Sequence, residues 1–416
     1  MKFRGLLVVA MLAASTLGIA PAQAMNQPEN LFTNTGVSQI TVHISPADSA
    51  KLVKAPKMSV KGTFDIVGPN SSFNFTNLPI TFHLKGTSTL KQNPSLLTNR
   101  PSLRVKFKRG GFLKLGFLGS LNSLTLNSMT QDGSKIHEYS SYLLYNAVGV
   151  PAPRVGYATV NVAIGTQVLN KGLFAIIEPY DASYLKQKFP TKTQHLYEPC
   201  SHWTDVTRPG ASKGGAGCTN SLFETKVGWG KHPNKLDLAA LASVQKISNN
   251  AAWWDGMKRY TDRNEMVKMW ATENFISAWD SYSGAIINNY YLRTDSLGVF
   301  SMMPTGADEA FEFNYKMDAS SIAYPLIYSD FKVQSKNRGY MFTRCLRYKP
   351  CFNQYLDDLK LISKTATKMD LVGKMKAISK TIAPYAGLVN YGQIAAENWV
   401  AMKQGEVTAL LAKYGR

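Results

Sequence analysis

The sequence contains few acidic residues and very few cysteines. Its 416 residues include 27 Asp and Glu against 47 Lys and Arg, a formal net charge of +20, and only four Cys. Such an excess of positive charge favours anionic partners such as nucleotides, acidic polymers or an anionic envelope surface, although it also serves solubility alone. The basic residues are scattered, and no zinc-finger, helix-turn-helix or aromatic RNA-binding pattern is present. We therefore expect no nucleic-acid partner.

Common catalytic patterns are also missing. The chain has no Gly-rich phosphate loop, no GxSxG in a strand–turn–helix context and no HExxH among its six histidines. A hydrolase is therefore the weakest of the functions considered, and any nucleotide would have to be held by other means.

Long apolar runs are absent except near the amino terminus. Lys2 and Arg4 precede an apolar core from Leu6 to Leu17, which is too short to span a bilayer, and residues 22–24 read Ala-Gln-Ala. This pattern predicts a signal peptide, residues 1–24, cleaved after Ala24. Its loss removes two basic residues and no acid, so the charge becomes +20 − 2 = +18. We expect a secreted, periplasmic or cell-envelope protein with no transmembrane segment after cleavage.

The four cysteines suit an oxidising compartment. Three pairings are possible, and the local one, Cys200–Cys218 with Cys345–Cys351, is favoured because it closes two short loops. A metal site is less favoured, because neither pair has CxxC spacing and no histidine stands at ligand spacing.

The order of predicted elements indicates an α+β chain of two lobes. Strands dominate the first half, as a mostly antiparallel sheet, and helices the second. The predicted divisions are a leader with accessory strands (25–77), a β-rich N-lobe (78–198), a disulfide-containing insertion (199–235) and a helical C-lobe with a catalytic hairpin (236–416). A cleft between lobes is a usual ligand site.

Two parts of the N-lobe carry candidate charges. The strand over residues 101–109 places Arg104 and Lys106 on one face, which is either a solvated face or a phosphate-binding face of a cleft. A helix predicted from a Ser134 N-cap to Val148 carries Glu138 in its first turn. That acid either complements the helix dipole or pairs with a cation on the preceding strand. The polar loop over residues 85–100 can cradle phosphate or be an ordinary hairpin loop.

The stretch from residue 273 to residue 313 is the richest in candidate ligands. Asp280 follows a predicted helix, Asn288 and Asn289 precede a short strand, and Asp308 follows the second strand of a hairpin. A hairpin brings its strand ends together, and converging carboxylate and amide oxygens suit Mg²⁺ or Mn²⁺. The alternative is that these residues only form turns.

The order cationic strand, helix Glu, Asp, Asn and second Asp is that of a protein kinase. The chain resembles the spore coat protein H (CotH) kinase family in an ordered set of segments over about residues 78–313. These segments are KGTSTLKQNPSLLTNRPSLRVKF, DGSKIHEYSSYLLYNAVGVPAPRVGYATV, GLFAIIEPYDASYL, AWDSYSGAIINNYYL and MMPTGADEAF.

The resemblance implies an atypical protein-kinase-like fold and Mg²⁺- or Mn²⁺-dependent transfer of phosphate from ATP to Ser or Thr of a protein acceptor. It implies that Asp280 is the catalytic residue, that Asp308 binds metal, and that Asn288, or with less support Asn289, is the metal-binding amide. By analogy with kinases, Lys106 and Glu138 would bind the nucleotide, with Arg104 as the nearest rival to Lys106.

The chain departs from the family pattern at the second acid motif. Many members read Pro-Trp-Asp-x-Asp where this chain has Pro304-Thr305-Gly306-Ala307-Asp308, so one acid is missing at Gly306. The basic position that begins KKSY-like segments of the family is Arg100 here. The alternative function is therefore a catalytically weak or inactive CotH-like binding or structural protein of the envelope or coat.

Overall fold

The computed structural model describes residues 31–32, 35–86, 90, 94–108, 121–200, 202, 204–206, 223–227, 235–312, 338–387 and 391–416. The predicted signal peptide, part of the polar loop and Cys218 lie outside these residues.

Seven strands of the first half form one sheet that closes on itself. They are β1 (Ser38–Ile44), β2 (Val60–Val67), β3 (Asn74–Lys85), β4 (Ser102–Phe107), β5 (Ser123–Asn127), β6 (Val155–Ile164) and β7 (Gln167–Ile177). Their order is β1-β2-β3-β4-β5-β7-β6, and β1 pairs parallel with β6 to close the sheet. Alternating apolar residues such as Phe64, Phe82 and Val105 fill the interior. The strands predicted as accessory are thus part of this sheet.

A smaller sheet lies beside the helices. It contains β8 (Thr193–Pro199), β9 (Phe223–Val227), β10 (Tyr290–Asp295) and β11 (Phe300–Pro304), in the order β11-β10-β8-β9. The central hairpin predicted from the sequence is β10–β11, and the strand β8 pairs with it rather than with the closed sheet.

Helices make up most of the second half. The described helices are α1 (Pro46–Lys54), α2 (His137–Ala147), α3 (Ala182–Lys188), α4 (Leu236–Gln245), α5 (Asn250–Tyr260), α6 (Arg263–Ile276), α7 (Tyr340–Arg347), α8 (Lys349–Lys368), α9 (Leu371–Ala386) and α10 (Tyr391–Lys413). The α+β class is therefore confirmed, with a β-rich first region and a helical second region. One apolar cluster joins α2 to the helices of the second region, with Tyr145, Trp270 and Tyr355 fully buried in it. The first-lobe helix is thereby fixed against the second lobe.

The start of α2 differs from the prediction. The helix begins at His137, and Ser134 lies in the turn before it, where its Oγ donates to Asp132 Oδ1 at 2.6 Å. Asp132 instead accepts from the backbone N–H of Lys135 and of His137, at 2.8 and 2.9 Å. An acceptor that meets the free N–H groups of a first turn is what an N-cap provides. Asp132 and Ser134 therefore share the role predicted for Ser134, because Ser134 Oγ also accepts from the backbone N–H of Ile136 at 3.1 Å.

The disulfide Cys345–Cys351 is present, with a Cα–Cα distance of 5.1 Å. Cys200 is also disulfide-bonded, and its predicted partner Cys218 is outside the described residues. None of the described helices is both long and apolar enough to cross a membrane.

We expect the Asp237→Ala variant to lower the free energy of unfolding by about 2 kcal/mol or more, because buried groups would lose their acceptor. The Asp237 carboxylate lies next to His195 Nδ1 at 2.7 Å and accepts from Tyr197 Oη and Thr294 Oγ1, each at 2.8 Å. Denaturant unfolding measures the change. Asp255→Ala, at an exposed acid of α5, is the matched control, and an equal effect of both substitutions would contradict the assignment.

Candidate functional site

The hairpin β10–β11 brings the candidate amides next to the segment that leads to Asp308. Tyr290 pairs with Pro304, so the residues flanking this pair are neighbours, and Thr305 N donates to Asn289 O at 3.0 Å. Asn289 has φ +48°, in the left-handed region that Asn tolerates better than most residues. The sequence prediction that a hairpin joins these groups agrees with this geometry.

Asp280 lies in the loop after α6 and accepts hydrogen bonds from both candidate amides. Its Oδ2 accepts from Asn288 Nδ2 and from Asn289 Nδ2, each at 3.0 Å, and its Oδ1 is buried with no hydrogen-bond partner among the described residues. Burial raises the pKa of Asp280. Neighbouring Asp308 raises it further, while the Asn288 bond, His202 and the Asn289 bond lower it.

A buried glutamate anchors the loop that carries Asp280. Glu273, in the last turns of α6, accepts from Ser283 N at 2.9 Å and from Ser283 Oγ at 2.6 Å. Burial raises the pKa of Glu273 to about 7, and the bonds from Ser283 oppose that shift. The loop that carries Asp280 is therefore tied to a rigid helix.

Asp308 is in a short 3-10 turn, Ala307–Glu309, directly after β11. The turn contacts α2, because His137 Nδ1 lies 3.0 Å from the carbonyl oxygen of Asp308. Burial raises the pKa of Asp308 and nearby Asp132 adds to the shift, while Lys85 and His137 lower it. The first turn of α2 is thus in direct contact with Asp308, the candidate metal ligand.

Glu138 lies in the first turn of α2 beside this group. It is 5 % exposed, and its carboxylate accepts from Asn127 Nδ2 at 2.7 Å and from Tyr142 Oη at 3.0 Å. Burial raises the pKa of Glu138 to about 8, with a further contribution from Asp308 and an opposing one from Lys85. Among the described residues no cation forms an ion pair with Glu138.

The structure brings Lys85, and not Lys106, near Glu138. Side chains of paired residues share a face of a sheet, and on the outer face of β3 and β4 Lys85 pairs with Ser102, whose Oγ bonds to Asn127 Oδ1. Lys106 is four residues further along β4, about 13 Å away at 3.3 Å per residue, and it is exposed. A pairing of Glu138 with a cation of the preceding strand is not present among the described residues, and the nucleotide-binding roles of Lys106 and Glu138 stay predictions.

Arg104 lies between these two positions on the same face. Its Nη1 donates to Thr125 Oγ1 at 3.0 Å. Burial lowers the pKa of Arg104 below its ordinary value, while Tyr291, Asp181 and Glu198 act in the opposite direction. Arg104 consequently faces β10, the strand that begins beside Asn289. Arg100, by contrast, lies in the loop before β4. It donates to the carbonyl oxygen of Leu173 and so joins that loop to β7.

The acids around Asp308 form a cluster of carboxyl groups that suits a cation. Glu309 adds to it, because burial, then Asp308, Asp280 and Glu312, raise its pKa to about 7. Buried carboxylates with raised pKa values are stabilised by a nearby positive ion. Among the described residues no three His, Cys, Asp or Glu side chains are arranged to hold a metal ion alone. The donor set therefore fits Mg²⁺ or Mn²⁺ only as an open site, in which phosphate oxygens and water complete the coordination.

Several residues here were missed by sequence reasoning. Lys85 closes a strand with alternating apolar residues, so its place on the outer face could have been read from that period. The contact of His137 with the Asp308 carbonyl joins distant segments, and nothing in the sequence pattern predicts it.

Comparisons with known proteins found a matching family model and a similar solved structure. The family model described as CotH kinase protein matches residues 82–407. No curated protein matches the chain. A solved structure, the "Shewanella oneidensis MR-1 Toxin Antitoxin System HipA, HipB and its operator DNA complex", is similar at 10% identity, covering 89% of this chain and 71% of that one with a TM-score of 0.34. A likeness of that size supports no argument about the site.

We expect the pH dependence of stability to report the burial of Glu138. Because its folded pKa of about 8 lies above its ordinary value of 4.5, the associated stability is fully present below 4.5 and is lost as pH rises to about 8. Each unit of pKa difference corresponds to about 1.4 kcal/mol. Thermal unfolding between pH 5 and pH 9 in chelator should therefore show a smaller fall in Glu138→Gln than in the unsubstituted protein. Equal slopes would contradict the assignment.

Proposed function

The chain belongs to the CotH kinase protein family, and we propose that it is an exported kinase that transfers phosphate from ATP to Ser or Thr of a protein acceptor with a divalent metal ion. The observation that carries the proposal is that Asp280, Asn289 and Asp308 lie in one group of polar and acidic side chains beside Glu138. Phosphoryl transfer needs mainly positioning and charge neutralisation; these residues would position the acceptor and hold the metal ion that neutralises charge.

Asp280 is the proposed catalytic residue. The acceptor hydroxyl oxygen forms the new bond to the γ-phosphorus while the bond from that phosphorus to the β–γ bridging oxygen breaks. The hydroxyl proton passes to the Asp280 carboxylate, and ADP leaves. The bonds from Asn288 and Asn289 lower the pKa of Asp280 against its burial, which favours the ionised form that can accept this proton.

Asp308 and the amide oxygens of Asn288 or Asn289 would hold the metal ion. A divalent ion at this position neutralises charge on the transferred phosphate when bound. The amide nitrogens already donate to Asp280, so their oxygens face away from it and are available as ligands.

Cations on the outer face of β3 and β4 are proposed to bind the nucleotide. Lys85 is a β3 cation whose charge lowers the pKa of both Glu138 and Asp308 against the raising effect of burial. We propose that Lys85 binds the phosphates of the nucleotide. Arg104 would contact the part of the nucleotide beyond the phosphates, and Lys106 would make a more distant contact.

Export is supported by the oxidised cysteines. Cys345–Cys351 closes a disulfide and Cys200 is in another, which is common outside the cytoplasm and uncommon within it. The charge of +18 expected after cleavage (+20 − 2) would favour an acidic acceptor or an anionic envelope surface.

A second candidate function is that of a binding or structural protein of the envelope or coat that transfers no phosphate. The absence of an ion pair to Glu138 among the described residues favours it. A thermal-shift measurement separates the two, because a ligand that binds the native state raises the unfolding temperature. A rise with ATP and Mn²⁺ together supports the kinase. No shift at millimolar ligand supports the second function.

We expect the purified mature protein with ATP and Mn²⁺ to transfer labelled phosphate to itself or to a Ser-rich acceptor. Asp308→Ala should lower the rate by about a hundredfold or more, since it removes a charge that holds the metal ion. The exposed Asp255→Ala is the matched control. Equal rates in the unsubstituted protein and Asp308→Ala would refute the proposed role.

Two lysine variants test the nucleotide assignment. Lys85→Ala should raise the KM for ATP by about tenfold, because a charge-assisted phosphate contact is lost. Lys106→Ala, on the same face but distant from Asp308, should raise it less. The reverse order would place the phosphates at the other end of the face. Initial rates over a range of ATP concentrations measure both.

A further inference from the structure

One amide joins the two acidic segments of the site. Asn289 Nδ2 donates to Asp280 Oδ2 at 3.0 Å and to the carbonyl oxygen of Gly306 at 3.1 Å. Because a carboxylate and a carbonyl both accept, only the NH₂ end of the amide can face them. The orientation of the Asn289 side chain is therefore fixed by Asp280 on one side and Gly306 on the other.

Gly306 has no room for a side chain. A Cβ there would lie 2.7 Å from Asn289 Cγ and Oδ1 and 2.8 Å from Nδ2, closer than real Cβ contacts. Its φ of +56° is also in the left-handed region that favours glycine. The same backbone condition holds at Gly298, with φ +78°, but a Cβ there would meet nothing within 4 Å.

We propose that Gly306 is a positioning residue: its missing side chain lets Asn289 hold Asp280, so that an acid at position 306 would impair the site and not restore it. The proposal rests on the phosphate-transfer function given above. It reverses the simplest reading of the sequence, in which Gly306 is a lost acid of the family pattern and a sign of lost activity.

The geometry gives the reason. Any side chain at 306 must displace the Asn289 amide, and the displaced amide can no longer reach both Asp280 Oδ2 and the Gly306 carbonyl. Asp280 would then keep only its bond from Asn288 and turn away from its present position. A displacement of about 1 Å in a catalytic group can cost about a hundredfold in rate. Nucleotide binding would be little affected, because Lys85 and Arg104 lie on the other lobe and Asn288, the amide preferred above as the metal ligand, keeps its bond to Asp280.

The first experiment compares Gly306→Asp and Gly306→Ala with Gly298→Ala as the control for backbone strain. We expect both substitutions at 306 to lower kcat by about a hundredfold with a KM for ATP within about threefold of the unsubstituted value. Gly298→Ala should retain kcat. Activity of Gly306→Asp equal to or above that of the unsubstituted protein would overturn the proposal.

A second measurement does not depend on activity. In the unsubstituted background, Gly306→Ala should lower the unfolding temperature more than Gly298→Ala does, because it adds a collision with Asn289 to the strain. In an Asn289→Gly background the collision is absent, so the two substitutions should then have equal effects. An unchanged difference would show that Gly306 does not act through Asn289. If the unsubstituted protein transfers no phosphate, the proposed function fails, and this cycle still decides the contact.

Discussion

The structure of the site depends on carboxylates placed in a buried region without enough cations to pair them. Glu138 on α2, Asp280 after α6 and Asp308 after β11 come from three different elements. Burial raises the pKa of each, and Asp308 raises the pKa of Glu138 and of Asp280 further. Such an arrangement is unfavourable for an empty protein and becomes favourable when positive charge enters. The fold sustains it because α2 packs into the core of the helical region, and Glu273 fixes the loop that carries Asp280. A binding site for a metal–nucleotide complex has this character.

Neutral hydrogen-bond donors take the place of cations beside these buried carboxylates. Asn127 and Tyr142 satisfy Glu138, and Asn288 and Asn289 satisfy one oxygen of Asp280. Neutral donors fix the positions of these carboxyl groups without contributing positive charge. The group of acids can therefore still bind a cation. Asn289 also donates to the carbonyl oxygen of Gly306. This bond links the missing side chain at position 306 to the geometry of Asp280.

Local patterns in the sequence predicted the elements well where the period was strong. The hairpin β10–β11, the strand β4 and the helix α6 with its Asp262 cap all follow from alternation or capping residues. No prediction covered the helices α5 and α7 or the strand β8. The helix α7 has only 8 residues, and β8 is stabilised by its pairing with β9 and β10. The choice between Lys85 and Lys106 could not be made from pattern either. Both lie on the outer face, and only the register of β3 against β4 and the position of α2 select one of them. Long-range contacts of this kind, like that between His137 and the Asp308 carbonyl, are set by how segments pack and leave no local mark in the sequence.

The most direct measurement is a crystal structure of the mature chain with Mn²⁺ and a non-hydrolysable ATP analogue, with anomalous scattering used to locate the metal. The account predicts an anomalous peak beside the Asp308 carboxylate and an Asn288 or Asn289 oxygen, with the phosphates between that peak and Lys85. A metal and nucleotide bound elsewhere on the chain, or no bound nucleotide at saturating concentration, would contradict it.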